Sequence, residues 1–396
     1  MTKRRFTGLA GIFALAGSIL MAGITQAVSG DAEIGAIGSV YEAPASSKSM
    51  FSEQFLNAVP FPQIQGAIDA LRQEYGPARF VRETGADYEI ETGTHRIPVQ
   101  IALNADGKIE GLLFKPAQRL TGSITETLEL LEALPGTTSY AVTQDGEPLY
   151  GRNADEKLAV GSAFKLAVLA ALSDSIDAGK DRWDEILRLE QRDKSLPSGR
   201  LQDFPAGSPF TLHTLAAVMI AESDNTATDM LIRHLGRVPV AEKLRAETVL
   251  TTREFFTLKG DPVLAKRYAE ADTDGRAGIV REIEDRDLPP ASAIGPHDQG
   301  VEWYVSNTTL CELARGVRNL DVFAINPGPV DAGKWETVAY KGGSETGVLN
   351  LTAALADKDG HSYCVSVTVN SDAAIDLADV SGLFSRLADQ LAADTP

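Results

Sequence analysis

Three short polar motifs, each set among apolar residues, constrain this chain more than any other feature. Its only S-x-x-K is Ser162-Ala163-Phe164-Lys165, which is followed in order by Ser223-Asp224-Asn225 and Lys341-Gly342-Gly343-Ser344. Ser and Lys are common residues, so a lone S-x-x-K means little, whereas the ordered trio is specific. The chain must therefore fold so that three distant segments meet at one place.

The first motif predicts an activated serine. Residues from Gly161 onward indicate a mostly apolar helix with Ser162 in its first turn, and the i, i+3 spacing puts Ser162 and Lys165 on one face. Apolar neighbours and the positive end of the helix dipole both disfavour the ammonium form of the lysine. We therefore expect Lys165 to take the proton of Ser162, which becomes the nucleophile of an acyl transfer.

The second motif lies between two apolar helices. A helix–helix connection can project a hydroxyl and an amide into a cleft, so Ser223 is predicted to relay a proton to a leaving group and Asn225 to bind a substrate amide. A simple N-capping role for the Ser-Asp-Asn triplet is compatible with this, because a cap fixes the turn that presents the side chains.

The third motif ends the first strand of a predicted strand pair. Lys341 would supply a cation for a substrate carboxylate, and Gly343 would let the substrate approach the backbone closely. The backbone N–H of Ser344, together with that of Ser162, would form an oxyanion hole. The alternative is an ordinary hairpin with a glycine bulge.

The three motifs, their order and their surroundings resemble the serine β-lactamase and penicillin-binding-protein superfamily, most closely its class A branch, over residues 118–396. The resemblance implies an antiparallel sheet flanked by helices, with an all-helical lobe beside it and the site in the cleft between them. The predicted sheet contains strands from both sequence ends of this part. An amphipathic helix over 376–394 closes the chain.

The chain departs from the class A pattern in two places. The third motif is Lys341-Gly342-Gly343 where the family usually has K-T-G or K-S-G, and the E-x-x-x-N motif expected in the long segment between the second and third motifs is missing. Glu254 and Glu302 are candidate substitutes for its glutamate, although each is also typical of a surface acid or ion-pair partner. We therefore expect Lys165, or a water that it activates, to serve deacylation as well as acylation.

The segment over 51–117 predicts a small α+β domain, with an amphipathic helix over 61–77 followed by about four alternating strands. This arrangement resembles steroid-isomerase or cystatin-like units. Its pairing with a β-lactamase-like domain resembles the cephalosporin esterase of clavulanate biosynthesis clusters. We interpret the small domain as a scaffold or cleft wall, because few of its carboxylates are placed for isomerase chemistry.

The amino terminus has the features of an exported protein. Three cations followed by an apolar stretch predict a signal peptide over 1–27, cleaved near Ala27, with a retained membrane anchor as the alternative, and 28–50 is predicted to be a flexible leader. The location is then periplasmic or secreted. The formal charge of −18 argues against nucleic-acid partners.

Other sequence features narrow the chemistry further. The five histidines show no metal-ligand spacing, and neither a G-x-S-x-G elbow nor a glycine-rich phosphate loop is present, so no metal or cofactor is expected. Cys311 falls on a predicted helix and Cys364 on a predicted strand, which favours two buried free thiols.

The sequence therefore predicts a serine hydrolase that forms an acyl-enzyme on Ser162, with β-lactam ring opening as the leading activity. Cephalosporin-type or other ester hydrolysis and D-Ala-D-Ala carboxypeptidase activity use the same motifs and stay open. A non-hydrolytic penicillin-binding or sensor protein, which is acylated and then stalls, is the alternative from another class.

Overall fold

The computed structural model describes residues 31–78, 80–84, 87–92, 95–119, 122–295, 297 and 300–393. They form two compact units. The smaller unit contains the chain up to Thr127 together with Ala378–Leu387, and the larger one contains Leu128–Leu377 and the residues from Ala388 on. The predicted signal peptide lies outside the described residues.

The smaller unit combines three helices with one antiparallel sheet. The sheet has the order β1-β2-β3-β4, with β5 paired to β3. The bounds are α1 (Asp31–Glu42), α2 (Glu53–Ala58), α3 (Phe61–Tyr75), β1 (Phe80–Thr84), β2 (Asp87–Glu91), β3 (His95–Leu103), β4 (Ile109–Phe114) and β5 (Gln118–Arg119). The predicted amphipathic helix and four strands are thus confirmed.

The start of the described chain differs from the flexible leader predicted over 28–50. From Asp31 onward the chain forms α1 and then a 3-10 helix, Pro44–Met50. Ile37, Val40 and Tyr41 are buried in the core of this unit, and the Tyr41 hydroxyl donates to Gly76 O at 2.9 Å. These three residues follow the i, i+3, i+4 spacing of a helix face, a signal that the small, polar composition of the segment obscured.

The larger unit is built on a five-stranded antiparallel sheet with the order β12-β13-β14-β6-β7. Strands from both sequence ends of this part contribute to it, as predicted. The strands of the larger unit are β6 (Thr137–Gln144), β7 (Glu147–Arg152), β8 (Leu158–Ala159), β9 (Ile186–Arg188), β10 (Pro209–Thr211), β11 (Tyr304–Val305), β12 (Thr337–Glu345), β13 (Val348–Ala356) and β14 (Ser362–Asn370).

Helices supply the rest of the larger unit and most of its apolar core. Residues 165–172 at the start of α5 are all buried, so this helix is apolar all round, which is typical of a central helix. The helices of the described residues from Ile124 on are α4 (Ile124–Glu132), α5 (Lys165–Asp177), α6 (Leu212–Ala221), α7 (Asn225–Leu235), α8 (Arg237–Leu244), α9 (Thr252–Lys259), α10 (Pro262–Glu270), α11 (Thr273–Ile283), α12 (Asn307–Val317) and α13 (Leu377–Ala393). The start of α4 and residues Ala378–Leu387 of α13 belong to the smaller unit.

The two cysteines form a disulfide, so the prediction of free thiols is wrong. The Cα atoms of Cys311, on α12, and Cys364, on β14, are 5.6 Å apart. The predicted helix and strand are both present, but α12 packs directly on the sheet at β14, and both side chains lie in the same buried layer with Ala141.

No helix among the described residues is long and apolar enough to span a membrane.

Candidate active site

Ser162 lies in a 3-10 turn, Gly161–Phe164, that leads directly into α5. The turn begins at Gly161 in the left-handed region, with φ of 50°. It is anchored by Phe164, whose ring stacks on Trp303 at a centroid distance of 4.0 Å. Ser162 is partly exposed while its neighbours are buried, so the turn presents the hydroxyl at the surface of a packed core.

Gly343 allows β12 to approach this turn. A Cβ added at Gly343 would lie 2.2 Å from Val160 O and 2.5 Å from Ser162 N, closer than real Cβ atoms approach. A Cβ added at Gly161 would likewise lie 3.2 Å from Ser344 N. The backbone N–H groups of the two predicted oxyanion-hole residues are therefore brought together by a pair of glycines.

Lys165 is fully buried and is held by the second motif. Its Nζ donates to Ser223 O at 2.6 Å, to Ser223 Oγ at 3.2 Å and to Asn225 Oδ1 at 2.6 Å. Among the described residues, the Ser162 hydroxyl is not one of its partners. Burial, and secondly the charge of Lys341, hold the pKa of Lys165 well below its usual range, so the amine can act as a proton acceptor.

The connection that carries Ser223 is both strained and reinforced. Ser223 has a positive φ of 56°, and such backbone strain often occurs at functional sites. The next residue, Asp224, caps α7 by accepting from Ala227 N at 2.8 Å, and it also accepts from Arg200 N and Leu201 N. The capping role and the presentation of Ser223 are thus compatible, as the sequence suggested.

Asn225 has a different set of partners from the one predicted. Its Oδ1 accepts from Lys165, and its Nδ2 donates to Leu196 O at 2.9 Å. The side chain therefore positions the Lys165 amine in this structure. Its role toward a substrate amide stays a prediction.

Lys341 contacts the same Ser223 hydroxyl as Lys165. Its Nζ donates to Ser223 Oγ at 3.1 Å and to Gly342 O, and burial lowers its pKa to about 7. Ser223 Oγ therefore bridges two lysine amines. Because two like charges close together disfavour each other, the ammonium of Lys341 adds to the effect of burial in lowering the pKa of Lys165.

The glycine that replaces the usual hydroxyl residue of the third motif faces a tyrosine. A Cβ added at Gly342 would lie 2.3 Å from the hydroxyl oxygen of Tyr340. The ring of Tyr340 in turn packs on Gly328, where an added Cβ would come within 2.5 Å of it. The Tyr340 hydroxyl thus occupies the space beside the strand that a threonine or serine side chain at Gly342 would need.

One cavity of about 490 Å³ brings these groups together. Six of the seven predicted site residues line it, and the seventh, Lys165, is buried and donates to Ser223. The lining combines four aromatic residues, several polar groups and the third-motif strand: Gly161, Ser162, Pro197, Ser198, Ile220, Ala221, Glu222, Ser223, Asn225, Phe255, Phe256, Trp303, Asn326, Tyr340, Lys341, Gly342, Gly343, Ser344, Glu345, Leu349, Asn350 and Leu351.

The two candidate substitutes for the missing glutamate have structural partners. Glu254 completes a capping box at the start of α9 and pairs with Arg237. Glu302 is fully buried and accepts from Lys259 Nζ at 2.5 Å. Lys259 also donates to Glu345 at 2.6 Å, and Glu345 lines the cavity.

The sequence did not identify Lys259 and Glu345 as residues of the candidate site. Lys259 ends α9 and no motif surrounds it, so no local signal marks it. Glu345 does have a signal, because it follows the third motif immediately on the same strand. Strand alternation places it on the face that Lys341 and Gly343 share.

Among the described residues, one group has side chains close enough to hold a metal ion. It consists of Asp181, Glu185 and His234, and His234 Nε2 hydrogen-bonds Asp181 Oδ1 at 2.8 Å. None of the three lines the cavity. The predicted site residues that line the cavity offer amine, hydroxyl and amide groups, which can donate and accept protons.

Comparisons with known proteins agree with this geometry. A family model described as Beta-lactamase enzyme family matches residues 123–277. The β-lactamases CTX-M-97 and Toho-1 of Escherichia coli are each 28% identical over 211 residues, which cover 50% of this chain and 69% of each relative. A β-lactamase structure from Sphaerobacter thermophilus has a TM-score of 0.50 at 20% identity and covers 69% of this chain and 98% of that one.

The structural match shows a β-lactamase-like fold, so the predicted fold class is confirmed. The family model and the curated relatives each match part of the chain, and at these identities they support a β-lactamase-like serine hydrolase. The finer resemblance to the clavulanate-cluster esterase, including an isomerase-like small domain, stays a prediction.

Proposed function

We propose that this protein is an exported serine hydrolase that forms an acyl-enzyme on Ser162, with β-lactams as the leading substrates. The observation that carries the proposal is the hydrogen-bonded chain from Lys165 Nζ through Ser223 Oγ to Lys341 Nζ, because Ser223 and Lys341 line the same cavity as Ser162. A lysine amine with a lowered pKa, three residues from a partly exposed serine, is suited to activate that weak hydroxyl nucleophile.

Acylation would proceed in two proton transfers. The amine of Lys165 takes the Ser162 proton as Oγ attacks the carbonyl carbon, and the backbone N–H groups of Ser162 and Ser344 stabilise the oxyanion. Ser223, between the two lysines, then passes its proton to the leaving nitrogen or oxygen and takes the proton that Lys165 received. The C–N bond of a β-lactam or the C–O bond of an ester breaks, and the acyl group stays on Ser162.

Charge at Lys341 favours substrates with a carboxylate. A pKa of about 7 leaves a substantial protonated fraction near neutral pH, and a bound carboxylate increases that fraction. β-Lactams and D-Ala-D-Ala peptides carry such a group, whereas simple esters do not. We therefore rank β-lactams above esters, with cell-wall peptides as the further candidate.

Covalent labelling tests the proposal directly. The wild-type protein should gain one adduct from a fluorescent penicillin, detected by intact mass, and Ser162→Ala should gain none because the nucleophile is absent. Ser208→Ala is the matched control, since its hydroxyl hydrogen-bonds Pro205 O and does not line the cavity. An adduct on Ser162→Ala would show that another residue is the nucleophile.

A further inference from the structure

Three ionisable side chains form a buried cluster at one end of the cavity. Lys259 Nζ donates to Glu302 Oε1 at 2.5 Å and to Glu345 Oε2 at 2.6 Å. The side chains of Lys259 and Glu302 have no exposed surface, whereas that of Glu345 is 18% exposed. Glu345 is thus the member of the cluster that reaches the cavity.

The remaining carboxylate oxygens indicate a shared proton. Among the described residues, Glu302 Oε2 and Glu345 Oε1 are buried and have no hydrogen-bond donor. Two closely spaced carboxylates beside one lysine cannot both be charged without a large electrostatic cost. Burial, and then the hydrogen bond and charge of Glu345, raise the pKa of Glu302, which favours the neutral acid at Glu302.

Strand geometry places this carboxylate close to the acylation site. Gly343 lies against the Ser162 backbone, and Glu345 is two residues farther along the same regular strand pairing. Its Cα is therefore about 7 Å along the strand from that of Gly343, and the two residues share a face. Glu345 therefore lines the same cavity as Ser162.

The other acids considered for this role pair with arginine side chains. Glu222 also lines the cavity, but both of its oxygens accept from Arg200, at 2.8 and 2.6 Å. Glu254 caps α9 and pairs with Arg237. Glu345 is the cavity carboxylate whose nearest charged partner, Lys259, is buried behind it.

Resting on the proposed acyl-enzyme, we propose that Glu345 is the general base of deacylation, positioned by Lys259 and Glu302. Glu345 Oε2 takes one proton from a water in the cavity, and the water oxygen attacks the acyl carbonyl carbon. The bond from that carbon to Ser162 Oγ then breaks. Oγ recovers the proton that Glu345 took from the water, and the acid product leaves.

Acyl-enzyme decay after rapid removal of excess substrate tests this assignment. Glu345→Gln should slow decay at least about 100-fold, in line with the loss of a positioned base, while acylation stays within about threefold of wild type. The control is Glu242→Gln, at an exposed acid that does not line the cavity, and it should decay like wild type.

A second variant separates chemistry from folding. Glu345→Ala removes the carboxylate and leaves space for a small acid. Added formate should therefore raise the rate of acyl-enzyme decay in Glu345→Ala at least tenfold. It should not change the rate in acylated Glu345→Gln, where the Gln side chain fills the space. Decay of Glu345→Gln within tenfold of wild type, or no rescue by formate, would overturn the proposal.

Two further outcomes would also overturn the assignment, and they are distinguishable from each other. A wild-type adduct that persists for hours with both β-lactams and esters would leave the proposed acylation intact but exclude Glu345 as a base. Absence of any adduct on wild type would instead refute the proposed function itself, together with the inference that rests on it.

Discussion

Replacing Gly343 by alanine should disable acylation without changing any reactive group. The new Cβ would lie 2.2 Å from Val160 O, 2.5 Å from Ser162 N and 2.6 Å from Ala163 N. All three contacts are with backbone, so relief requires β12 and the Ser162 turn to move apart. Ordinary van der Waals contact needs a separation roughly 1 Å larger than these distances.

A displacement of that size has predictable consequences. Misplacement of a reacting group by about 1 Å can cost about 100-fold in rate, and overpacking of a filled site costs about 1–3 kcal/mol of stability. We therefore expect the second-order acylation constant of Gly343→Ala to fall at least about 100-fold. The thermal midpoint should fall only slightly in comparison, because the rest of the core is unchanged.

Stopped-flow labelling with a fluorescent penicillin, corrected for the folded fraction by circular dichroism, measures this effect. The matched control is Gly342→Ala, whose new Cβ would meet mainly the Tyr340 side-chain hydroxyl, at 2.3 Å, and that terminal group can shift more easily than backbone. Its acylation should fall much less. Acylation of Gly343→Ala within about threefold of wild type would refute the assigned role of the close backbone approach.

Other expectations follow from the charges and cross-link of the larger unit. Lys341→Ala should lose more kcat/KM on carboxylate-bearing β-lactams than on neutral esters, by an amount equivalent to about 1.5–3 kcal/mol for the lost ion pair; equal losses would assign Lys341 to the proton network alone. Because burial lowers the pKa of Lys341 to about 7, its ammonium is lost as pH rises through that value. The kcat/KM ratio of carboxylate to neutral substrate should therefore fall above about pH 7, and a flat ratio between pH 6 and 9 would contradict this. Replacing Cys311 and Cys364 together by alanine opens a 53-residue loop and should lower the free energy of unfolding by about 4 kcal/mol, measured by urea denaturation; a change below about 1 kcal/mol would show that the cross-link contributes little.

The candidate site residues could be predicted because short motifs encode them locally. Ser162 and Lys165 are three residues apart at the start of α5, and Ser223 follows the end of α6. Lys341 lies in the middle of β12 rather than at the end of a strand as predicted, because the strand continues through the motif to Glu345. Tertiary structure then brings the three segments together, as the ordered motifs required.

Features that depend on packing between distant segments could not be predicted in the same way. Lys259, Glu302 and Glu345 come from a helix end, a loop and a strand end, and no spacing rule links them. The Cys311–Cys364 bond has the same origin, since a helix and a strand position say nothing about which faces meet. The hydrogen bonds of the Asn225 amide to Lys165 and Leu196 could not be predicted either, because both partners lie on other segments.

The close approach of β12 to the nucleophile turn has a consequence for anyone who wishes to redesign what this cavity accepts. Gly161, Gly342 and Gly343 line it, but side chains there would meet backbone or the Tyr340 hydroxyl. Directed evolution of new specificity should therefore leave these glycines fixed. A randomised library should instead vary Ser198 and Ser344, which line the cavity and are exposed. The wall nearest the reaction is the part of the pocket least open to change.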